Sequence, residues 1–145
     1  MKIILASNSP RRRELLAGLD LEFEVKVLPN ISEAYPADTP TEKIAEFIAV
    51  EKAEAYLSTL NDDELVITAD TIVIVDGEVL GKPTDETDAK RMLQLISGRS
   101  HQVITGVCLM TNSRQHHFSV TTDVAFKQLS ADEIDYYVKT YKKTD

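Results

Sequence analysis

Ile3-Ile4-Leu5-Ala6-Ser7-Asn8-Ser9-Pro10-Arg11-Arg12-Arg13-Glu14-Leu15-Leu16-Ala17-Gly18 reads as a strand, a tight turn and a helix within sixteen residues. Ser9 suits the cap of that helix. Pro10 suits its first position, where a missing N–H costs nothing, and Gly18 suits its end. The three arginines break the local rule. A helix N-terminus carries about half a positive charge and prefers acidic neighbours, so Arg11, Arg12 and Arg13 imply a gain elsewhere. The gain that fits is an anion held by backbone N–H groups and guanidinium forks together. Three solvated arginines beside a ligand-free turn are the competing account.

Periodic segments continue on both patterns. Leu21 to Val27 is apolar and acidic, and Pro29 to Pro40 reads as a loop containing Glu33. A long helix is expected from Thr41 to Leu60, with Ile44, Phe47, Ile48, Ala53, Tyr56, Leu57 and Leu60 on one stripe. Leu65 to Val75 is β-branched enough for a central strand. Asp76-Gly77 is a strong hairpin turn into Glu78-Val79-Leu80, which Gly81-Lys82-Pro83 ends. A helix from Asp85 to Ser97, with Thr84 or Asp85 as its cap, stops at Gly98. The runs His101 to Met110 and His116 to Phe126 look like an antiparallel pair, and Ser130-Ala131-Asp132-Glu133 has the capping-box spacing that opens a last helix. Residues 1–145 therefore read as one α/β domain with a mixed, twisted sheet flanked by helices.

Composition narrows the function. The net charge of −8 argues against a general nucleic-acid binder, so a phosphate ligand must be gripped locally. No apolar run reaches the length of a membrane span, and the short opening run lacks a signal peptide's apolar region, which favours a cytoplasmic protein without a membrane partner. The single cysteine, Cys108, reads as a core residue. His101, His116 and His117 read as surface or strand-edge residues, and adjacent strand residues such as His116 and His117 face opposite ways.

Asp70 interrupts an otherwise apolar strand. Either it ends the strand and lines a cleft or it is a structural acid satisfied by backbone donors; the cleft reading leads, because strand-end acids often line crevices in α/β folds. The hairpin turn is expected to fold Lys82 back towards it. Glu33 and Lys52 are weak signals separately. Together with Arg11, Arg12, Asp70 and Lys82 they supply what a diphosphate-cleaving site needs: carboxylates for Mg²⁺, cations for non-bridging oxygens, and a base for water.

The chain resembles the Maf family of nucleotide pyrophosphatases, whose fold is similar to that of the inosine triphosphate pyrophosphatases. The match runs through Leu5-Ala6-Ser7-Asn8-Ser9-Pro10-Arg11-Arg12, Glu33, Glu51-Lys52-Ala53, Ala69-Asp70-Thr71-Ile72-Val73 and Gly81-Lys82-Pro83. It continues in Met92-Leu93, Ser97-Gly98, His101-Gln102-Val103, Thr105-Gly106-Val107 and Thr122-Asp123-Val124. The resemblance implies hydrolysis of a nucleoside triphosphate to the monophosphate and pyrophosphate with a divalent metal, Mg²⁺ first and Mn²⁺ or Co²⁺ as alternatives. Arg11 with Thr71 resembles the branch acting on dTTP and UTP. On this reading Ser9, Arg11, Arg12, Lys52, Thr71 and Lys82 bind substrate, Glu33 and Asp70 hold the metal, and Asp70 activates water. A homodimer and an association with septum formation are also implied. The family pattern continues past Asp145 with Lys-Ala-Gly and Gly-Ile-Gln, so the chain reads as C-terminally shortened, which bears on base selectivity and on activity. The alternative function is a catalytically impaired nucleotide-binding regulator of cell division.

Overall fold

A computed structural model describes residues 1–7, 9–29, 31, 34–80 and 85–140. Among these residues, six strands and four α-helices follow one another as β1 (Lys2–Leu5), α1 (Pro10–Gly18), β2 (Phe23–Val25), α2 (Ile44–Glu54), β3 (Glu64–Val75), β4 (Glu78–Leu80), α3 (Glu86–Ile96), β5 (Ser100–Met110), β6 (Gln115–Ala125) and α4 (Ala131–Thr140). The strands form one mixed sheet ordered β2-β1-β3-β5-β6, with β4 added to β3. β1 is parallel to both β2 and β3, while β3 and β4 are antiparallel. The α/β reading is thus borne out. Contacts divide the chain into one unit of Met1–Thr71 with Thr105–Val120 and another that contains Ile72–Ile104.

Turn and cap chemistry explains the element ends. Ser9 caps α1, its hydroxyl accepting from the Arg12 N–H at 3.4 Å, and Pro10 is the first helical residue. α1 ends at Gly18, as expected, and Asp20 takes the left-handed position at φ +57°. Asp76 and Gly77, at φ +50° and +82°, form the turn with both central residues left-handed that matches strand twist. Asp85 caps α3 through the Asp88 N–H at 2.8 Å. In the last helix, Ser130 and Glu133 exchange reciprocal bonds of 3.1 and 3.2 Å, a complete capping box.

The expected helix over 41–60 is three pieces. Thr41–Lys43 and Leu57–Thr59 are 3₁₀ turns on either side of α2. The ladder tightens because the Tyr56 N–H bonds Ala53 and the Thr59 N–H bonds Tyr56, three residues back, while the Thr59 hydroxyl takes the same Tyr56 carbonyl at 2.8 Å. Tyr56 is fully buried, and its hydroxyl donates to the Lys26 carbonyl at 3.1 Å and accepts from the Leu28 N–H at 2.9 Å. Helix end and loop are thereby fastened together.

Two cores result. In the first unit Ile4, Ala49, Ala53, Tyr56, Leu60, Val66, Cys108 and Met110 pack as one cluster. Cys108 is a core residue, as its apolar strand suggested, and burial, assisted by Glu54, pushes its thiol up to about 11. In the second unit Ala89 of α3 packs with Leu129, Ile134 and Val138. His101 corrects the expectation of a surface histidine: it is 8% exposed, because Phe126 packs against its ring. His116 and His117 are exposed, and His117 contacts Glu46 of α2.

Candidate active site

The site begins where β1 stops. Carbonyls two residues apart on a strand point to the same edge. The Ile67 carbonyl of β3 accepts the Ala6 N–H at 3.0 Å, so the Ala69 carbonyl faces the same edge, where the next donor of a longer β1 would stand. β1 instead ends at Leu5, and the chain departs toward α1. Two cations occupy the vacated place: Lys52 Nζ lies 3.3 Å and Arg12 Nη1 3.5 Å from the Ala69 oxygen.

Each cation is further fixed. Lys52 bonds Asp70 Oδ1 at 3.1 Å, and both side chains are largely buried. Arg12 Nη1 reaches Ser7 Oγ at 3.4 Å, and its Nη2 donates to Thr71 Oγ1 at 3.1 Å. Ser7 itself is buried and accepts the Ser9 N–H at 3.1 Å, which ties the turn to the arginine it presents. Thr71 Oγ1 also lies 3.1 Å from Thr105 Oγ1 of β5. Arg11 is exposed at the head of α1.

Lys52 is aimed by the way α2 is seated. Gly106 of β5 has no room for a side chain, since a Cβ there would stand 2.3 Å from the Glu46 nitrogen and 2.4 Å from the Ala45 carbonyl carbon. One turn on, the buried Thr68 hydroxyl donates to the Ala49 carbonyl at 2.6 Å. Lys52 projects from the turn that follows, over Asp70.

Of the residues expected from sequence, Ser9, Arg12, Lys52, Asp70 and Thr71 come together, with Arg11 nearby on α1. Glu33 and Lys82 lie outside the described residues. One expectation is corrected: Asp70 does not end its strand. β3 continues to Val75, and a carboxylate is tolerated in mid-strand because the neighbouring strand has left and Lys52 covers it. Ser7 and Thr105 were not foreseen as site residues. Ser7 had a legible signal, its place at the end of the strand beside the cap, whereas Thr105 depends on a strand pairing that no spacing reveals.

The arrangement is suited to an anion. A fixed guanidinium, a fixed ammonium and a capped helix start share one patch with a carboxylate. Residues 2–145 match the family model described as Maf-like protein. This chain belongs to the Maf-like family. Among its curated Maf-like relatives, a dTTP/UTP pyrophosphatase of Phocaeicola vulgatus is 58% identical over 99% of this chain and 75% of the relative. One of Bacteroides thetaiotaomicron is 53% identical over the same shares. The Staphylococcus aureus Ham1 protein shares the fold at a TM-score of 0.58 and 18% identity, over 85% of this chain and 70% of that one. A nucleoside-triphosphatase, dITP/XTP pyrophosphatase, of Mycobacterium abscessus does so at 0.51 and 18%, over 90% and 77%. The expected likeness to the inosine triphosphate pyrophosphatase fold is therefore found.

Proposed function

We propose that this Maf-like chain hydrolyses a nucleoside triphosphate, dTTP and UTP foremost, to the monophosphate and pyrophosphate. The observation that carries the reading is the convergence of Arg12 and Lys52 on the Ala69 carbonyl beside Asp70, where a strand partner is missing. Relatives more than half identical and named dTTP/UTP pyrophosphatases support it.

The family resemblance supports these roles, and the positions of Arg12, Lys52 and Asp70 are in keeping with theirs. Arg12 and the N–H groups after Ser9 bind phosphate oxygens, with Arg11 adding charge from the exposed face. Lys52 neutralises a second oxygen and holds the Asp70 carboxylate in place. Asp70 accepts the proton of the water that attacks the α-phosphorus. Thr71 helps to read the base or to fix the nucleotide, and Lys82 joins the phosphate grip.

A divalent metal, Mg²⁺ in the first instance, is part of this reading. The described residues contain no cluster of three His, Cys, Asp or Glu, so they do not make an all-protein cage. They do fit the sparse style of Mg²⁺ binding, in which one or two carboxylates combine with substrate phosphates and waters. Asp70 is the carboxylate present, and Glu33 is proposed as the second. When bound, such an ion withdraws charge from the phosphates. A homodimer in the cytoplasm completes the proposal on the strength of the family alone.

Incubation of this chain with Mg²⁺ and a panel of nucleoside triphosphates tests it. Pyrophosphate released from dTTP and UTP is the expected outcome; orthophosphate, or no product, overturns it.

A further inference from the structure

Ser7 stands just past the end of β1 and is buried, and its hydroxyl oxygen has two hydrogen-bond partners. The Ser9 N–H lies 3.1 Å away and Arg12 Nη1 3.4 Å. Neither partner has a lone pair to offer, since a backbone N–H and a guanidinium only donate. Ser7 Oγ therefore accepts from both, which fills its two lone pairs, and no rotation of the hydroxyl alters that order. Its own hydrogen is left over. Among the described residues no carbonyl, carboxylate or hydroxyl takes it. A buried donor without an acceptor is costly, so the fold holds this hydrogen for something it does not itself supply. The surroundings say what fits. One partner of Ser7 is the N–H of the residue that caps α1 and the other is a cation, so the potential at the hydroxyl is positive and suits an anion. Accepting from a charged donor also makes the hydroxyl a stronger donor itself.

We propose that Ser7 is a substrate-binding residue, which donates its hydroxyl hydrogen to a non-bridging oxygen of the triphosphate beside Arg12. This rests on the pyrophosphatase reading above. An oxygen held by Arg12 and the start of α1 lies next to both groups that Ser7 accepts from, and a phosphate oxygen carries lone pairs and no hydrogen. The same accounting fixes what Ser7 does not do. With both lone pairs engaged it has none to direct at phosphorus, so the hydroxyl is a ligand of the anion and not a nucleophile.

The test is release of nucleoside monophosphate from dUTP and from dUTP with one non-bridging oxygen replaced by sulfur. The sulfur stands at the α- or β-phosphorus, in either stereoisomer, or at the γ-phosphorus, and kcat/KM is measured for the unaltered chain, Ser7→Ala and Ser7→Cys. Sulfur is a weak acceptor, and only a group that touches the replaced oxygen changes the size of the loss that sulfur causes there. The expected result is that the preference for oxygen over sulfur shrinks by about tenfold at one position in both variants, the scale of one hydrogen bond to a charged group, and is kept at the others. Alanine removes the hydroxyl outright, and cysteine, close to serine in size, puts a weak donor in its place, so a disturbed turn in one variant leaves the other to decide. Preferences unchanged at every position, or changed alike at all of them, while the unaltered chain cleaves dUTP, mean that Ser7 only holds the turn. That overturns the inference and leaves the enzyme reading intact. Failure of the unaltered chain to release monophosphate from dUTP overturns both.

Discussion

Lys52 and Asp70 are the residues on which the proposed chemistry turns, and their 3.1 Å pairing sets what each substitution does. Asp70→Asn keeps the shape of the site and removes the base, so turnover falls by at least about a hundredfold, the lower end of a general-base contribution, while nucleotide affinity is largely kept. Steady-state kinetics with a parallel binding titration checks this, and near-normal turnover removes Asp70 from the role. Arg12→Lys keeps the charge and loses the fork. A single ammonium cannot reach Ser7, Ala69 and Thr71 in the geometry the guanidinium spans, so KM rises by about tenfold or more with a smaller change in kcat. At this scale the sequence was readable where a residue broke a rule, as the arginines did at a helix start and Asp70 did in a strand. Thr105 and Thr68 broke none. Threonine is ordinary in a strand, and their partners Thr71 and Ala49 lie 34 and 19 residues away.

Helices and strands were legible from caps and turns more than from apolar spacing. Ser9, Asp85 and the Ser130–Glu133 pair mark their helices because each hydroxyl or carboxylate has a backbone N–H within three residues to bond. The end of α2 was illegible for the opposite reason, since the apolar stripe runs on through Tyr56, Leu57 and Leu60 while the ladder tightens beneath it. What ends the helix is a contact with the distant segment at Lys26 and Leu28. Tyr56→Phe tests that account. It removes two part-buried hydrogen bonds, to the Lys26 carbonyl and from the Leu28 N–H, which costs about 1 kcal/mol, and urea unfolding should show the loss with an unchanged m-value. A loss within error would mean that the hydroxyl does not fasten the loop.

For the molecule as a whole, the buried thiol of Cys108 gives a pH signature. Folded, it keeps its proton to about 11; unfolded, it releases it near the ordinary value of 9.0, so above 9 the unfolded state binds fewer protons. Stability contributed by this group is therefore complete below about pH 9, falls between 9 and 11, and levels off above. Urea midpoints of the unaltered chain should drop more steeply from pH 9 to 11 than those of Cys108→Ala, and parallel curves would refute the shift. The same thiol was legible as core from its apolar alternating strand, and the α/β class was legible from the order of strand and helix segments. The order β2-β1-β3-β5-β6 was not, because it depends on which strands meet across long connections. Nor was the early exit of β1 from the side of β3. That exit is a property of the chain's route, and it separates two ways of changing the protein. Side chains on the rim can be exchanged one at a time without closing the opening, so preference for one nucleotide over another is free to drift by point substitution. A residue gained or lost between Leu5 and Pro10 would instead displace Ser7, Ser9 and Arg12 together, and the reaction would be lost in a single step.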